Sequence, residues 1–281
     1  MELTDVRSAA GILAMLLLPL VLTVLSFYEL ATVEPSAMVI GTPLVVTPTA
    51  TATVTPAATP TPDVNRMVRE GVAALEAGRY AEAEALFRRA TALYPEEATL
   101  FNSLGLALYH QNKVDEAIAA YRQALTLDPT LAEAAYNLGV AHLAAGHADL
   151  AEDAWRLAVA GDATFADAYV KLAELALDRG DVEGAITILE EALDSGATSA
   201  LLYHRLGGAY ALAGRAEEGV AALEQAVTLA PESSSARYDL GLLYLHVGEV
   251  ERAKAQFEAI VAQAPASEWA QKARERLDAL P

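Results

Sequence analysis

Residues 101–129 read FNSLGLALYHQNKVDEAIAAYRQALTLDP, and their spacing predicts two helices folded back on one another. Gly105 and Ala117, twelve residues apart, have little or no side chain, which lets two helix backbones cross closely. Asn112 lies between them and is a residue type that tolerates the left-handed conformation ending a first helix. Tyr121 is the large residue that fills the gap between hairpins, and Ala124 shares its helical face. Pro129 stops the second helix.

The same set returns every 34 residues in both directions. Gly71, Gly139, Ala173, Gly207 and Gly241 stand where Gly105 does, and Ala83, Ala151, Ala185, Gly219 and Ala253 repeat Ala117. The turn position holds Gly78, Gly146, Gly180, Gly214 and Gly248, and the large position holds Phe87, Trp155, Leu189, Leu223 and Phe257. Pro95, Pro231 and Pro265 close three more second helices; the third and fourth units carry Ala163 and Ala197 there, with Gly161 and Gly196 expected to end those helices instead. Six units of 34 residues fill positions 64–267 without insertion or deletion.

FNSLGLALY (101–109) and AYNLGVAHL (135–143) resemble the first helix of the tetratricopeptide repeat, and the register of that family holds over 204 of 281 residues. The resemblance implies an all-α, right-handed superhelical solenoid of six hairpins, with the first helices lining a concave groove. Glu70 replaces the family's usual Leu in the first repeat, as suits an end facing water. After the sixth repeat, Trp269, Ala273, Leu277 and Leu280 form one apolar stripe, so residues 268–281 read as a capping helix.

Before the repeats the composition changes twice. Residues 1–8 are a short N-terminus, and Ala9 to Tyr28 run twenty residues without a charge, long enough at ~1.5 Å per residue to cross a bilayer. Pro19 inside the run is tolerated in a membrane helix. A cleaved signal peptide is the alternative; the length of the run and the poor cleavage site after it favour an uncleaved anchor. Residues 29–63 hold repeated Thr-Pro steps and read as an extended, disordered spacer, with an extracytoplasmic stalk, O-glycosylated or not, as the expected setting. Arg7 is the one basic residue before the run, so the N-terminus is placed in the cytoplasm and the repeats outside a bacterial cell membrane.

Charge and chemistry exclude whole classes of function. The chain carries a formal −19, with 18 basic against 33 acidic residues beyond position 63, which repels nucleic-acid backbones. There is no cysteine, hence no disulfide or thiolate chemistry. No phosphate loop, metalloprotease motif or nucleophile elbow is present, and no cofactor is expected. His142 and His147 are five apart and do not share a helix face as two metal ligands would. Adjacent carboxylates such as Glu190-Glu191 and Glu217-Glu218 read as solvated surface. The expectation is a scaffold, not an enzyme.

Positions left on the first helices after packing then define a candidate groove: Asn102, Leu106 and Tyr109; Tyr136, Asn137 and Val140; Lys171 and Glu174; His204 and Arg205; Tyr238, Leu242 and His246. Asn and Arg can bracket an extended peptide while Tyr and Leu supply apolar contact. Eight of these are the binding candidates proper: Asn102, Tyr109, Tyr136, Asn137, Lys171, His204, Arg205 and Tyr238. Family members that grip a C-terminal carboxylate use a set of Lys, Asn and Arg of which only Asn137, and Lys171 in place of Arg, survive here. The implied partner is a protein or peptide of the cell envelope, with lateral self-association as the alternative.

Overall fold

The computed structural model describes residues 63–280; the expected anchor over 9–28 and nearly all of the 29–63 spacer lie outside the described residues. Thirteen helices and no strand are found among the described residues. They are α1 (Val64–Glu76), α2 (Tyr80–Leu93), α3 (Ala98–Tyr109), α4 (Val114–Leu127), α5 (Ala132–Ala144), α6 (Ala148–Gly161), α7 (Ala166–Asp178), α8 (Val182–Asp194), α9 (Ala200–Leu212), α10 (Ala216–Leu229), α11 (Ser234–His246), α12 (Val250–Gln263) and α13 (Glu268–Asp278). Among the described residues no helix is long and apolar enough to cross a membrane. The repeats divide into two compact units, one ending at Ala168 and one beginning at Tyr169, so the division falls at the start of the fourth repeat.

Each hairpin turns in the same way. Asn112 has φ 61° and Gly78, Gly146, Gly180, Gly214 and Gly248 lie between 72° and 83°, so the residue at this position is left-handed in all six repeats. The next amide reaches back five residues to close the turn, as in Lys113 N–H to Leu108 O at 3.0 Å and Glu249 N–H to Tyr244 O at 2.8 Å. Second helices end two residues before Pro95, Pro129, Pro231 and Pro265, as expected. Gly196, at φ 88°, ends α8. Gly161 does not act this way. It is the last helical residue of α6, and Asp162 turns the chain by accepting from the backbone N–H and hydroxyl of Thr164 at 2.8 and 2.7 Å. What position 161 requires is space, since a Cβ there would stand 2.6 Å from the carbonyl oxygen of Thr130.

The small residue at the eighth position of each repeat also serves a more specific purpose than backbone approach. A Cβ on Gly105 would lie 2.5 Å from the Tyr121 ring, and one on Gly139 would lie 2.4 Å from Trp155. The large side chain of the second helix therefore seats on the glycine of its own first helix. Phe87, Tyr121, Trp155, Leu189, Leu223 and Phe257 are all buried, each worth about 2–3 kcal/mol of transfer free energy.

Within the first unit, Glu84 joins successive hairpins. Lys113 Nζ lies 2.7 Å from it, Gln111 donates at 2.8 Å and Arg88 at 2.8 Å, while Arg88 also reaches Glu116 at 2.7 Å. The Lys113 bond, helped by Arg88 and Gln111 against the opposing effect of burial, holds the Glu84 carboxyl down to about 2. In the second unit the corresponding ties are phenolic. Tyr210 and Tyr244 donate to Glu190 and Glu224 at 2.6 Å, and Arg215 and Arg252 lie over the two rings. The capping helix α13 buries Ala270 and Ala273, with Trp269 and Leu277 packed beside Tyr238 and Phe257.

Candidate binding face

In the second unit the first helices of three repeats present residues at one helical spacing. Positions i, i+4, i+7 and i+11 share a helix face, which gives Lys171, Glu174 and Asp178 on α7, then Leu201, Arg205 and Leu212 on α9, then Ser235 and His246 on α11, where Asp239 at the same spacing is buried. The middle of this face is charged. Lys171 Nζ donates to Glu174 Oε2 at 2.8 Å, and Arg205 Nε donates to Glu174 Oε1 at 2.8 Å, so one carboxylate positions two cations. The Lys171 and Arg205 side chains are 18% and 20% exposed, which leaves an accessible edge on each. Asp178 next to them is pushed up, first by desolvation and then by the Glu174 charge, with Lys171 opposing. Leu201, one turn before Arg205, is 41% exposed.

Beneath Arg205 lies a buried polar pair. His204 Nε2 donates to Asp239 Oδ2 at 2.7 Å, while Asp239 Oδ1 has no partner among the described residues. Tyr238 accepts from Arg276 Nε at 3.1 Å and packs against Phe257 and Trp269, so it belongs to the junction with the capping helix.

The first unit offers a different surface. Asn137 Nδ2 donates to Asn102 Oδ1 at 3.0 Å, and both amides are buried. Tyr136 is buried against Phe165, with its carbonyl accepting from the Trp155 indole at 3.2 Å. Leu106 and Val140 are buried as well. Tyr109 is half-buried, its hydroxyl pushed up by desolvation, and sits beside His110, which stacks on Tyr80 at 4.6 Å.

Five of the eight expected candidates, Asn102, Tyr136, Asn137, His204 and Tyr238, therefore do not face open solvent. The physical reason is that the fifth and sixth positions of successive first helices meet. Asn102 and Asn137 are 35 residues apart, and so are His204 and Asp239. Tyr109, Lys171 and Arg205 keep accessible surface, and the last two are brought together through Glu174. Leu201 and Asp239 were not among the expected groove residues, although Asp239 occupies the repeat position of Lys171 and Arg205. His142 and His147 come to 6.1 Å between ring centroids because the hairpin turn folds one toward the other. Among the described residues no group of three or more His, Asp or Glu side chains is arranged to hold a metal ion.

Family models described as tetratricopeptide repeat match residues 68–132 and 136–200, 206–278, and 108–157. No curated protein matches the chain. Among solved structures, PilF of Pseudomonas aeruginosa is 14% identical with a TM-score of 0.62, covering 76% of this chain and 97% of its own. A chain of the APC/C hetero-tetramer Cut9-Hcn1 is 21% identical with a TM-score of 0.59; the match covers 76% of this chain but only 42% of that one. YrrB, a TPR protein with an unusual peptide-binding site, is 21% identical with a TM-score of 0.50, covering 67% of this chain and 97% of its own. These likenesses are likenesses of fold.

Proposed function

Because the chain belongs to the tetratricopeptide repeat family, we propose that it is a non-catalytic scaffold whose second unit binds a protein or peptide partner on the face of α7, α9 and α11. Proteins of this family generally mediate protein–protein interaction, and YrrB is a fold relative with a peptide-binding site. The observation that carries the reading is the Lys171–Glu174–Arg205 cluster. One carboxylate fixes two cations whose outer edges stay accessible, so little side-chain entropy is lost when a ligand engages them. Leu201 adds an apolar contact beside them, and the His204–Asp239 pair braces the helix that carries Arg205.

In this reading the scaffold is tethered. The uncharged run from Ala9 to Tyr28 anchors it in a bacterial cell membrane with the N-terminus in the cytoplasm, and the Thr/Pro-rich spacer holds the repeats away on the outer side. The partner is then a component of the cell envelope.

The test is affinity capture from envelope extract with the full chain, set against a Lys171→Gln/Arg205→Gln variant that melts normally. A partner held by the parent and released at least tenfold more readily by the variant supports the reading. A partner held equally by both moves the site elsewhere. Protease added to intact cells tests the tether: removal of the repeats supports an outer location, and full protection in intact cells with cleavage after lysis refutes it.

A further inference from the structure

The join between the first and second repeats is ionic, with Glu84, Arg88, Lys113 and Glu116 paired across it. The join between the second and third repeats lies in the same compact unit and reuses those positions 34 residues on. There Ile118 and Leu150 stand in place of Glu84 and Glu116, His147 in place of Lys113, and Ala145 in place of Gln111, while Arg88 is retained as Arg122. Both carboxylates are gone and the guanidinium stays.

Arg122 is exposed and pairs with no carboxylate among the described residues. Its polar contact is His142, with Nη2 3.4 Å from Nε2. At the two joins of the second unit the same pair of positions is Tyr210 with Glu190 and Tyr244 with Glu224, so those phenols meet a carboxylate where His142 meets a cation. His142 is buried, and desolvation, then Arg122 and His147, hold its ring below the usual range. A guanidinium only donates, so facing it Nε2 accepts and the ring proton of neutral His142 sits on Nδ1. Nδ1 is buried with no partner among the described residues, and a buried N–H without an acceptor is a rare state. Apolar surface lies on the same second helix. Leu150 and Leu157 share one face of α6 and are 44% and 39% exposed, at positions that hold Glu116 and Gln123 in the second repeat and Glu218 and Gln225 in the fifth.

We propose that this join is a second docking site, for an acidic–apolar segment of a partner protein: a Glu or Asp side chain pairs with Arg122 and accepts from His142, and a neighbouring apolar side chain covers Leu150 and Leu157. The incoming carboxylate takes the place that Glu84 and Glu116 fill one repeat earlier. It gives the guanidinium an acceptor, so the His142 proton moves to Nε2 and is donated to the ligand, leaving a lone pair at Nδ1 in place of the orphaned N–H. The formal −19 of the chain repels acidic ligands in general, so a preference for one marks a local cation freed of its acid. The site uses residues of the first unit alone and stands apart from the face of α7, α9 and α11.

Fluorescence anisotropy with the full chain in a non-ionic detergent, at physiological salt, tests it. The probes are two labelled peptides, acetylated and amidated to remove terminal charge, one with a Leu-Glu-Glu-Leu core and one with a Leu-Gln-Gln-Leu core. The parent is expected to bind the acidic peptide about tenfold more tightly than its amide counterpart. Arg122→Gln is expected to erase that preference. Leu150→Glu returns the acid of the second repeat to the chain, and is expected to erase the preference while melting no lower than the parent. Lys171→Gln/Arg205→Gln, on the other face, is expected to keep it. Should Arg122→Gln lose helicity, Leu150→Glu decides the matter. A parent without the preference, a preference that survives in folded Arg122→Gln or Leu150→Glu, or one lost in folded Lys171→Gln/Arg205→Gln would each overturn the proposal.

Discussion

Gly139→Ala is the substitution that most directly examines why the repeats hold glycine at the eighth position. Gly139 is not among the residues of positive φ, so backbone conformation does not demand it. In an unhindered helix the change would stabilise by about 1 kcal/mol. Here the new methyl would stand 2.4 Å from Trp155 Nε1 and 2.5 Å from Cδ1, about 1 Å closer than ordinary contact. Moving the indole costs about 1–3 kcal/mol for overpacking. It also endangers the indole N–H bond to the Tyr136 carbonyl, worth about 1 kcal/mol. Set against the helix gain, the net loss is about 1–3 kcal/mol. The fourth repeat shows the compensated form of the same site, with Ala173 at the small position and Leu189 at the large one. In a Trp155→Leu background, Gly139→Ala is therefore expected to be neutral or mildly stabilising. Urea unfolding followed by circular dichroism on all four forms yields the coupling, expected at about 2 kcal/mol. Additive losses would refute the reasoning, because they would mean that the ring is not what excludes the methyl.

Other consequences follow from the same contacts. Asn112→Val places a β-branched residue at φ 61° and is expected to cost about 1–2 kcal/mol in thermal unfolding, while Asn112→Gly costs nothing measurable. The Glu84 carboxyl is held down to about 2 in the folded chain against an ordinary value of 4.5, so its contribution is fully present above pH 4.5 and fades as pH falls toward 2. Glu84→Gln is thus expected to lose at most about 3 kcal/mol at neutral pH and to match the parent near pH 2, read from melting as a function of pH. Asp239→Leu leaves His204 buried without its acceptor and is expected to cost about 2–4 kcal/mol, whereas Asp239→Asn retains a hydrogen bond and costs less than half as much in chemical unfolding.

Packing residues made the fold legible. Gly105, Asn112 and Tyr121 each have one physical task, and a task repeated six times at 34-residue intervals is readable without any tertiary information. Gly161 shows the limit, since the same residue type can end a helix or make room for a neighbouring carbonyl, and only the Thr130 contact distinguishes the two. The binding face was less legible. Reading each first helix alone leaves Asn102 and His204 without intrahelical neighbours and so apparently free, but their partners, Asn137 and Asp239, lie one repeat further on. A search for polar residues 35 apart would have found both pairs. The Lys171–Glu174–Arg205 cluster combines an i, i+3 pair, visible in sequence, with a contact 31 residues away, which is not. The phenol–carboxylate ties of Tyr210 and Tyr244 were likewise hidden, because Glu190 read alone is one of a solvated acidic pair.

The central claim, that a partner engages the first-helix face of the second unit, is tested most directly by site-specific photo-crosslinking in cells that make the protein. A photoreactive residue at position 201, beside Arg205, would be compared with one at position 93, where Leu93 is equally exposed on the second helix of the first repeat. The account predicts a discrete partner adduct from position 201 that disappears in the Lys171→Gln/Arg205→Gln background, and none from position 93. An adduct from position 93 alone, or one from position 201 that survives loss of both cations at full yield, would contradict it.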